Sequence, residues 1–111
     1  AKLFIGYYPA MRVRPGMEVR EEELAALCER YAVARLEVFG SSARGDHRPD
    51  SDVDLLVLFR PGHRVGMLHL AGLQFELEAL LGVDVDLVPR KGLKPAIRDS
   101  VLGEARELYA A

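Results

Sequence analysis

The residues best suited to chemistry lie in one short stretch, where Gly40-Ser41 is followed after ten residues by Asp52-Val53-Asp54. Gly40 has no Cβ, so the main chain there can approach a phosphate closely, and Ser41 adds a hydroxyl donor. The two aspartates occupy positions i and i+2 of a predicted strand, which places them on one face with backbones about 6.5–7 Å apart. A phosphate cradle beside two carboxylates indicates chemistry on a nucleoside triphosphate.

The aspartate pair also predicts a metal site. Unscreened carboxylates at this spacing repel each other, whereas Mg²⁺ takes hard oxygen ligands and shares them with substrate phosphates. A lone Asp-x-Asp is more often a solvated strand end, but Asp52 and Asp54 follow a Gly-Ser pair and begin an otherwise buried strand. A third carboxylate is expected from a neighbouring strand. Asp84 and Asp86 both qualify, and periodicity does not choose between them.

Hydrophobic periodicity predicts the elements that position these residues. They are a helix at 21–32, a strand at 35–39, a helical turn at 41–44, a loop at 45–51, a strand at 52–59, a helix at 65–81, a strand at 83–88 and a helix at 94–102. Ser41 is expected near the cap of the helical turn. Residues 104–109 form an element of unassigned type. This order predicts a sheet with helices packed on it, of the α/β or α+β class.

The N-terminal segment, residues 1–16, resists assignment. Its apolar stretch 3–8 would suit a strand, but Pro9 and Pro15-Gly16 separate it from the rest of the chain. A flexible arm, an added edge strand and a partner contact all fit this pattern. We therefore predict an N-terminal arm at 1–16 and one domain at 17–111.

Composition bounds the class of protein. The chain has 111 residues, of which 50% are hydrophobic and 29% charged, as expected for one globular domain. A formal net charge of -2 argues against direct nucleic-acid binding. We expect the basic residues near the two ends to be scattered solvated charges: Arg12, Arg14, Arg20, Arg90, Lys91 and Lys94. No segment approaches the roughly 20 apolar residues of a membrane span, which predicts a cytoplasmic protein.

We expect the cysteine and the three histidines to have structural rather than catalytic roles. Cys28 is the only cysteine and shares an apolar helical stripe with Leu24, Leu27 and Tyr31, so we expect a small core hydrophobe rather than a nucleophile. The three histidines form no zinc-ligand spacing and are expected to have surface roles: His47, His63 and His69.

The combined motif resembles the signature of the minimal nucleotidyltransferases of the DNA polymerase β superfamily. The resemblance rests on Gly40-Ser41 and Asp52-Val53-Asp54 and covers about residues 24–109. It extends almost residue for residue through three runs: 39–45, 51–57 and 85–88. It implies an α+β fold, in which a mixed sheet of three to four strands has helices packed on one face and the active site at the edge of the other.

The resemblance also assigns roles to the acidic residues. It implies that Asp52 and Asp54 ligate Mg²⁺, with two ions in the site, and that Asp86 is the third carboxylate and helps to activate the attacking hydroxyl. Two ions can stabilise both the attacking and the leaving oxygen of an in-line displacement. Pyrophosphate would leave, and the nucleotidyl group would pass to an acceptor.

The nucleotide side of the site is assigned by the same resemblance. Gly40 and Ser41 are expected to hold the triphosphate of ATP. Arg44 either adds positive charge there or forms a salt bridge with Asp46 or Asp50, and the sequence leaves both alternatives open.

A domain this short has little left to hold an acceptor, which must therefore come from outside. The resemblance implies a HEPN ribonuclease toxin as partner, and an antitoxin that transfers AMP from ATP to a tyrosine of that toxin. The alternatives are a nucleotidyltransferase with a small-molecule or RNA acceptor, a non-catalytic antitoxin and a nucleotide-binding module. The apolar segments 3–8 and 65–81 would serve either a homo-oligomer or a contact with another protein.

Overall fold

The protein is described by a computed structural model that covers residues 9–111. The predicted strand-like segment 3–8 lies outside the described residues. The strands are β1 (Ala10–Arg14), β2 (Met17–Arg20), β3 (Val33–Phe39), β4 (Val53–Phe59), β5 (Val85–Pro89) and β6 (Arg106–Ala110). The helices are α1 (Glu21–Arg30), α2 (Ser41–Arg44), α3 (Met67–Leu81) and α4 (Pro95–Glu104), with a 3₁₀ turn at Arg90–Gly92. Each predicted helix and strand from residue 21 to 104 is present, with ends that differ by at most two residues.

The central sheet is mixed, with four strands in the order β5-β4-β3-β6. Strands β4 and β5 are parallel, whereas β3 is antiparallel to both β4 and β6. This confirms the predicted α+β fold. The segment of unassigned type becomes the edge strand β6, which is stabilised by pairing with β3 rather than by any strong alternation of its own.

Alternation along β4 separates the two faces of this sheet. Val53, Leu55 and Val57 are buried in the main core, together with residues from α1 and α3: Leu24, Leu27, Cys28, Leu73 and Leu77. On the opposite face Leu56 packs in a smaller cluster with Leu93 and Val101. Helices α1 and α3 therefore cover one face as predicted, while α4 covers part of the other and leaves the end that carries Asp54 accessible.

The N-terminal strands form their own two-stranded antiparallel sheet, separate from the central one. Gly16 makes the turn between them with a φ of 82°, a conformation that favours glycine. Residues Ala10–Arg14 form a strand, but it pairs with β2 and is not the added edge strand that was one alternative for residues 1–16. The predicted division into 1–16 and 17–111 falls in this turn and stays a prediction.

Helix α3 carries apolar residues on its outer side as well as toward the core. Met67, Leu68 and Phe75 are 88%, 89% and 71% exposed. The helix ends at Gly82, which is left-handed with a φ of 77°, as the sequence predicts. No helix within residues 9–111 has the length and apolar character needed to cross a membrane. The cytoplasmic location stays a prediction.

His69 of α3 departs from the predicted surface role. Its ring is partly buried and lies edge-on to the rings of Tyr31 and Phe59, with centroid distances of 5.1 and 5.4 Å. Its Nε2 is also 2.7 Å from the carbonyl oxygen of Tyr31. The histidine therefore ties α3 to the end of α1.

Candidate active site

The Gly40-Ser41 bend connects β3 to α2. Gly40 has φ 71° and ψ −151°, and its carbonyl accepts hydrogen bonds from the backbone N–H groups of Ala43 and Arg44 at 3.1 Å each. A Cβ added at Gly40 would clash with the carboxylate of Asp54. Glycine is therefore required both by the backbone conformation and by the close approach of the aspartate.

Ser41 lies next to the cap of the helical turn α2, as the sequence predicts. It is the first residue of α2, while Gly40 occupies the cap position, and no side-chain cap bond forms there within the described residues. The left-handed φ of Gly40 turns the chain into the helix without help from a hydroxyl. Ser41 remains at the bend, beside the backbone that the sequence assigns to phosphate binding.

The acidic residues of β4 and β5 meet across neighbouring strands. Asp86 is the register partner of Asp54 in the parallel pair, and Phe39, which precedes Gly40, is the register partner of Asp54 on the other side. Paired residues of adjacent strands project from the same face of the sheet. The carboxylate of Asp86 is thus on the same face as that of Asp54, and Asp54 in turn lies against the Gly40 bend.

Asp84, the other candidate, lies outside the strand. Strand β5 begins at Val85, and the carbonyl oxygen of Asp84 accepts a hydrogen bond from the backbone N–H of Val53 at 3.0 Å. This position is two residues before Asp86, the register partner of Asp54. The strand geometry therefore favours Asp86 over Asp84, which periodicity alone left open.

The electrostatics of Asp54 reflect its surroundings. Burial raises the pKa of its carboxyl above the ordinary value, and the nearby carboxylates of Asp86 and Asp52 raise it further. Arg44 acts in the opposite direction, while Glu104 adds to the increase. Such a site is short of positive charge and would be relieved by a cation.

Arg44 forms ion pairs with two carboxylates. Its Nε donates to Oδ2 of Asp46 at 3.2 Å, and its Nη1 donates to Oε2 of Glu104, also at 3.2 Å. Hydrogen bonds to these two carboxylates raise the pKa of the guanidinium. The salt bridge with Asp46 was one of the predicted alternatives, whereas the pair with Glu104 was not predicted.

Glu104 is the functional candidate that the sequence did not reveal. Besides the ion pair with Arg44, its Oε1 accepts a hydrogen bond from the backbone N–H of Gly40 at 3.1 Å. It is the last residue of α4 and comes just before β6. Its proximity to Gly40 is a consequence of the pairing of β6 with β3, in a segment whose type the sequence left unassigned.

Arg14 corrects another expectation, because it is not a solvated charge. Its side chain is buried, with 2% exposure. It donates to Oγ of Ser42 at 3.1 Å and to the carbonyl oxygens of Ser51 and Pro49 at 2.9 and 3.1 Å. The loop between α2 and β4 wraps around this guanidinium, which thereby helps to position both the Gly-Ser bend and Asp52.

The predicted metal ligands are the carboxylates of Asp52, Asp54 and Asp86. Within residues 9–111, no group of three or more His, Cys, Asp and Glu side chains is arranged to hold a metal ion. The chemistry of the donor set nevertheless fits Mg²⁺, because it consists of carboxylate oxygens whose mutual repulsion contributes to the raised pKa of Asp54. The ligand roles of Asp52, Asp54 and Asp86 stay predictions.

Comparisons with known proteins agree with this architecture. Residues 21–108 match the family model described as a nucleotidyltransferase domain. The chain is 46% identical over 78 residues to protein adenylyltransferase MntA of Thermococcus cleftensis, which covers 70% of this chain and 77% of the relative.

Solved structures give the same result. A chain described as a minimal nucleotidyltransferase is 49% identical, with a TM-score of 0.67 over 79% of this chain and 88% of the other. The complex of the tri-AMPylated Shewanella oneidensis HEPN toxin with its MNT antitoxin contains a chain of the same fold, with 20% identity, a TM-score of 0.59 and coverage of 82% and 70%. The chain therefore belongs to the nucleotidyltransferase-domain family, among the minimal nucleotidyltransferases, and is an enzyme of nucleotidyl transfer.

Proposed function

We propose that this protein transfers AMP from ATP to a tyrosine hydroxyl of a partner HEPN toxin, with Mg²⁺ as cofactor, and thereby acts as an antitoxin. The observation that carries the proposal is that Asp54 lies against the Gly40 bend on one side and is the register partner of Asp86 on the other. The relatives support the acceptor class, since the similar Thermococcus cleftensis protein is a protein adenylyltransferase.

In the proposed reaction, Gly40 and Ser41 bind the triphosphate through backbone N–H groups and a hydroxyl, and Arg44 neutralises part of its charge. Asp52, Asp54 and Asp86 would hold Mg²⁺, which supplies positive charge for the developing negative oxygens. The mutual repulsion of the carboxylates around Asp54 is then an advantage, because it makes the site receptive to a cation.

The chemical step is an in-line substitution at the α-phosphorus. The acceptor oxygen forms a bond to that phosphorus while the bond from phosphorus to the bridging oxygen breaks, and pyrophosphate leaves. Asp86 is exposed at the edge of the site and accepts the proton of the attacking hydroxyl. The product is AMP joined to the acceptor through a phosphodiester.

The partner must present the acceptor from outside, because the described elements are already used to build the sheet and its site. The exposed apolar side chains of α3 offer a contact surface for such a protein. The solved complex of a HEPN toxin with an MNT antitoxin of the same fold supports the class of partner. A homo-oligomer remains a separate prediction.

The proposal is tested by transfer of label. The protein is incubated with the HEPN protein encoded beside it, Mg²⁺ and ATP labelled at the α-phosphate, and the tyrosines of the partner are mapped by mass spectrometry. Labelled partner is expected with the wild type and is expected to be lost in Asp52→Asn and with a chelator. Asp99→Asn, on the exposed surface of α4, serves as the matched control.

Two outcomes would overturn the proposal. One is an unlabelled partner with intact, folded wild-type protein. The other is transfer that is unchanged in Asp52→Asn. Label found instead on an RNA end or a small molecule would move the assignment to the alternative acceptor classes.

A further inference from the structure

Glu104 occupies the site that the proposed function assigns to phosphate. One oxygen of its carboxylate accepts the backbone N–H of Gly40 at 3.1 Å, and both oxygens lie within reach of Arg44 Nη1, at 3.4 and 3.2 Å. A backbone N–H at a glycine bend together with a guanidinium is the donor set that proteins use for phosphate oxygens. A carboxylate is the nearest protein equivalent of such an anion.

The topology explains how this side chain reaches the bend. Strand β3 ends at Phe39, just before Gly40, and β6 runs antiparallel to it with Val38 opposite Arg106. Glu104 lies two residues before Arg106, so the junction of α4 and β6 sits beside the end of β3. The glutamate side chain is 26% exposed, so part of its surface faces solvent.

A carboxylate and a triphosphate cannot both accept the backbone N–H of Gly40. The backbone N–H of Gly40 has one hydrogen, and an oxygen of a bound triphosphate at that position would bring two anions into contact.

We infer that the carboxylate of Glu104 competes with phosphate for this site. It binds Gly40 and Arg44 in this structure and is displaced when a triphosphate binds. This inference rests on the proposed function, because it takes Gly40 and Arg44 as the phosphate-binding groups. Glu104 acts through those two residues and is a positioning residue, not a catalytic one. Its displacement opens the bend and releases Arg44 toward the nucleotide.

Calorimetry with inorganic tripolyphosphate, which lacks a base and a sugar, isolates the phosphate site. Glu104→Gln removes the charge but keeps the size of the side chain, and is expected to bind tripolyphosphate with a Kd about three- to tenfold lower than that of the wild type. Glu107→Gln is the control, since Glu107 is exposed on β6 and pairs with Arg35. It is expected to leave the Kd unchanged. Binding by Glu104→Gln that is no tighter than wild type overturns the inference.

A measurement on the wild type keeps the test independent of how the variant folds. When tripolyphosphate is added, the amide NMR signal of Gly40 and the side-chain carboxyl signal of Glu104 are expected to shift together. A Gly40 amide that responds while the Glu104 carboxyl does not would overturn the inference. If the wild type labels its partner but neither expectation holds, the inference alone fails and the proposed function stands.

Discussion

Asp86 of β5 lies directly opposite Asp54 of β4 in a parallel register, so that two acidic residues face the same side of the sheet at adjacent positions. Parallel strands of a buried sheet are usually apolar on both faces. Here the pair interrupts that pattern at the accessible end of the sheet, beside a glycine whose Cβ position is taken by Asp54. The repulsion between these carboxylates would favour a cation bound at this position.

The raised pKa of Asp54 predicts how the stability of the folded protein depends on pH. Its folded-state pKa is raised above the ordinary value of 3.8, chiefly by burial and then by Asp86 and Asp52. Between these two pKa values the folded state binds more protons than the unfolded state, so its contribution to stability is present below pH 3.8 and is lost as the pH rises through the folded pKa. Asp54→Asn should therefore raise the Tm at neutral pH in metal-free buffer.

The measurement is a series of thermal melts from neutral pH downward. The stabilisation by Asp54→Asn is expected to shrink as the pH approaches 3.8, where the wild-type carboxyl becomes neutral even in the unfolded chain. Asp99→Asn controls for the loss of a surface carboxylate. An Asp54→Asn variant that melts at or below the wild-type temperature at neutral pH would contradict the expectation.

The choice of Asp86 over Asp84 is tested by comparing their asparagine variants. Asp86→Asn should lower the rate of transfer by about 10²–10⁴-fold if its carboxylate accepts the proton of the attacking hydroxyl. Asp84→Asn keeps the same chemistry two positions earlier, before β5 begins, and should retain most activity. Equal losses in the two variants would show that the register pair is not what selects the third carboxylate.

Two features require glycine at position 40, namely its left-handed φ and its close contact with Asp54. Gly40→Ala must adopt a φ of 71° and also move Asp54, so we expect a loss of about 1–3 kcal/mol in the free energy of unfolding together with loss of transfer. Gly45→Ala, at the other end of α2, meets a φ of 84° but nothing within 4 Å among residues 9–111. Denaturant titrations of both variants measure the difference. Equal destabilisation would mean that the contact with Asp54 is easily relieved.

The residues of the candidate site could be predicted from the sequence because their signals are local. The glycine bend precedes the Asp pair by a short loop, and the alternation of period two places Asp86 on a definite face of its strand. The sequence missed Glu104 and Arg14 for a common reason. Both belong to elements whose pairing is decided by distant parts of the chain, Glu104 beside β6 and Arg14 in β1. Long-range pairing leaves no periodic trace in a five-residue strand.

The buried hydrogen bonds of Arg14, which the sequence did not predict, should stabilise the fold. Arg14→Met keeps most of the side-chain volume but leaves Ser42 and the carbonyl groups of Pro49 and Ser51 without their donor, so we expect a loss of about 2–4 kcal/mol in the free energy of unfolding. Arg12→Met, at an exposed position of the same strand, is the matched control and should stay within about 0.5 kcal/mol. Urea titration measures both. A similar stability for the two variants would mean that water replaces the buried guanidinium.

The reactivity of the Cys28 thiol tests whether this side chain is buried in the core. The thiol is fully buried between α1 and the sheet, and burial raises its pKa to about 12. Since the thiolate is the reactive form, the native protein should not react with a thiol-specific reagent at pH 8, whereas one equivalent should react in urea. The time course of labelling, with and without urea, checks this. Rapid labelling of the native protein, at a rate faster than its unfolding, would mean that α1 opens from the sheet far more easily than its packing against Leu73 and Leu77 implies.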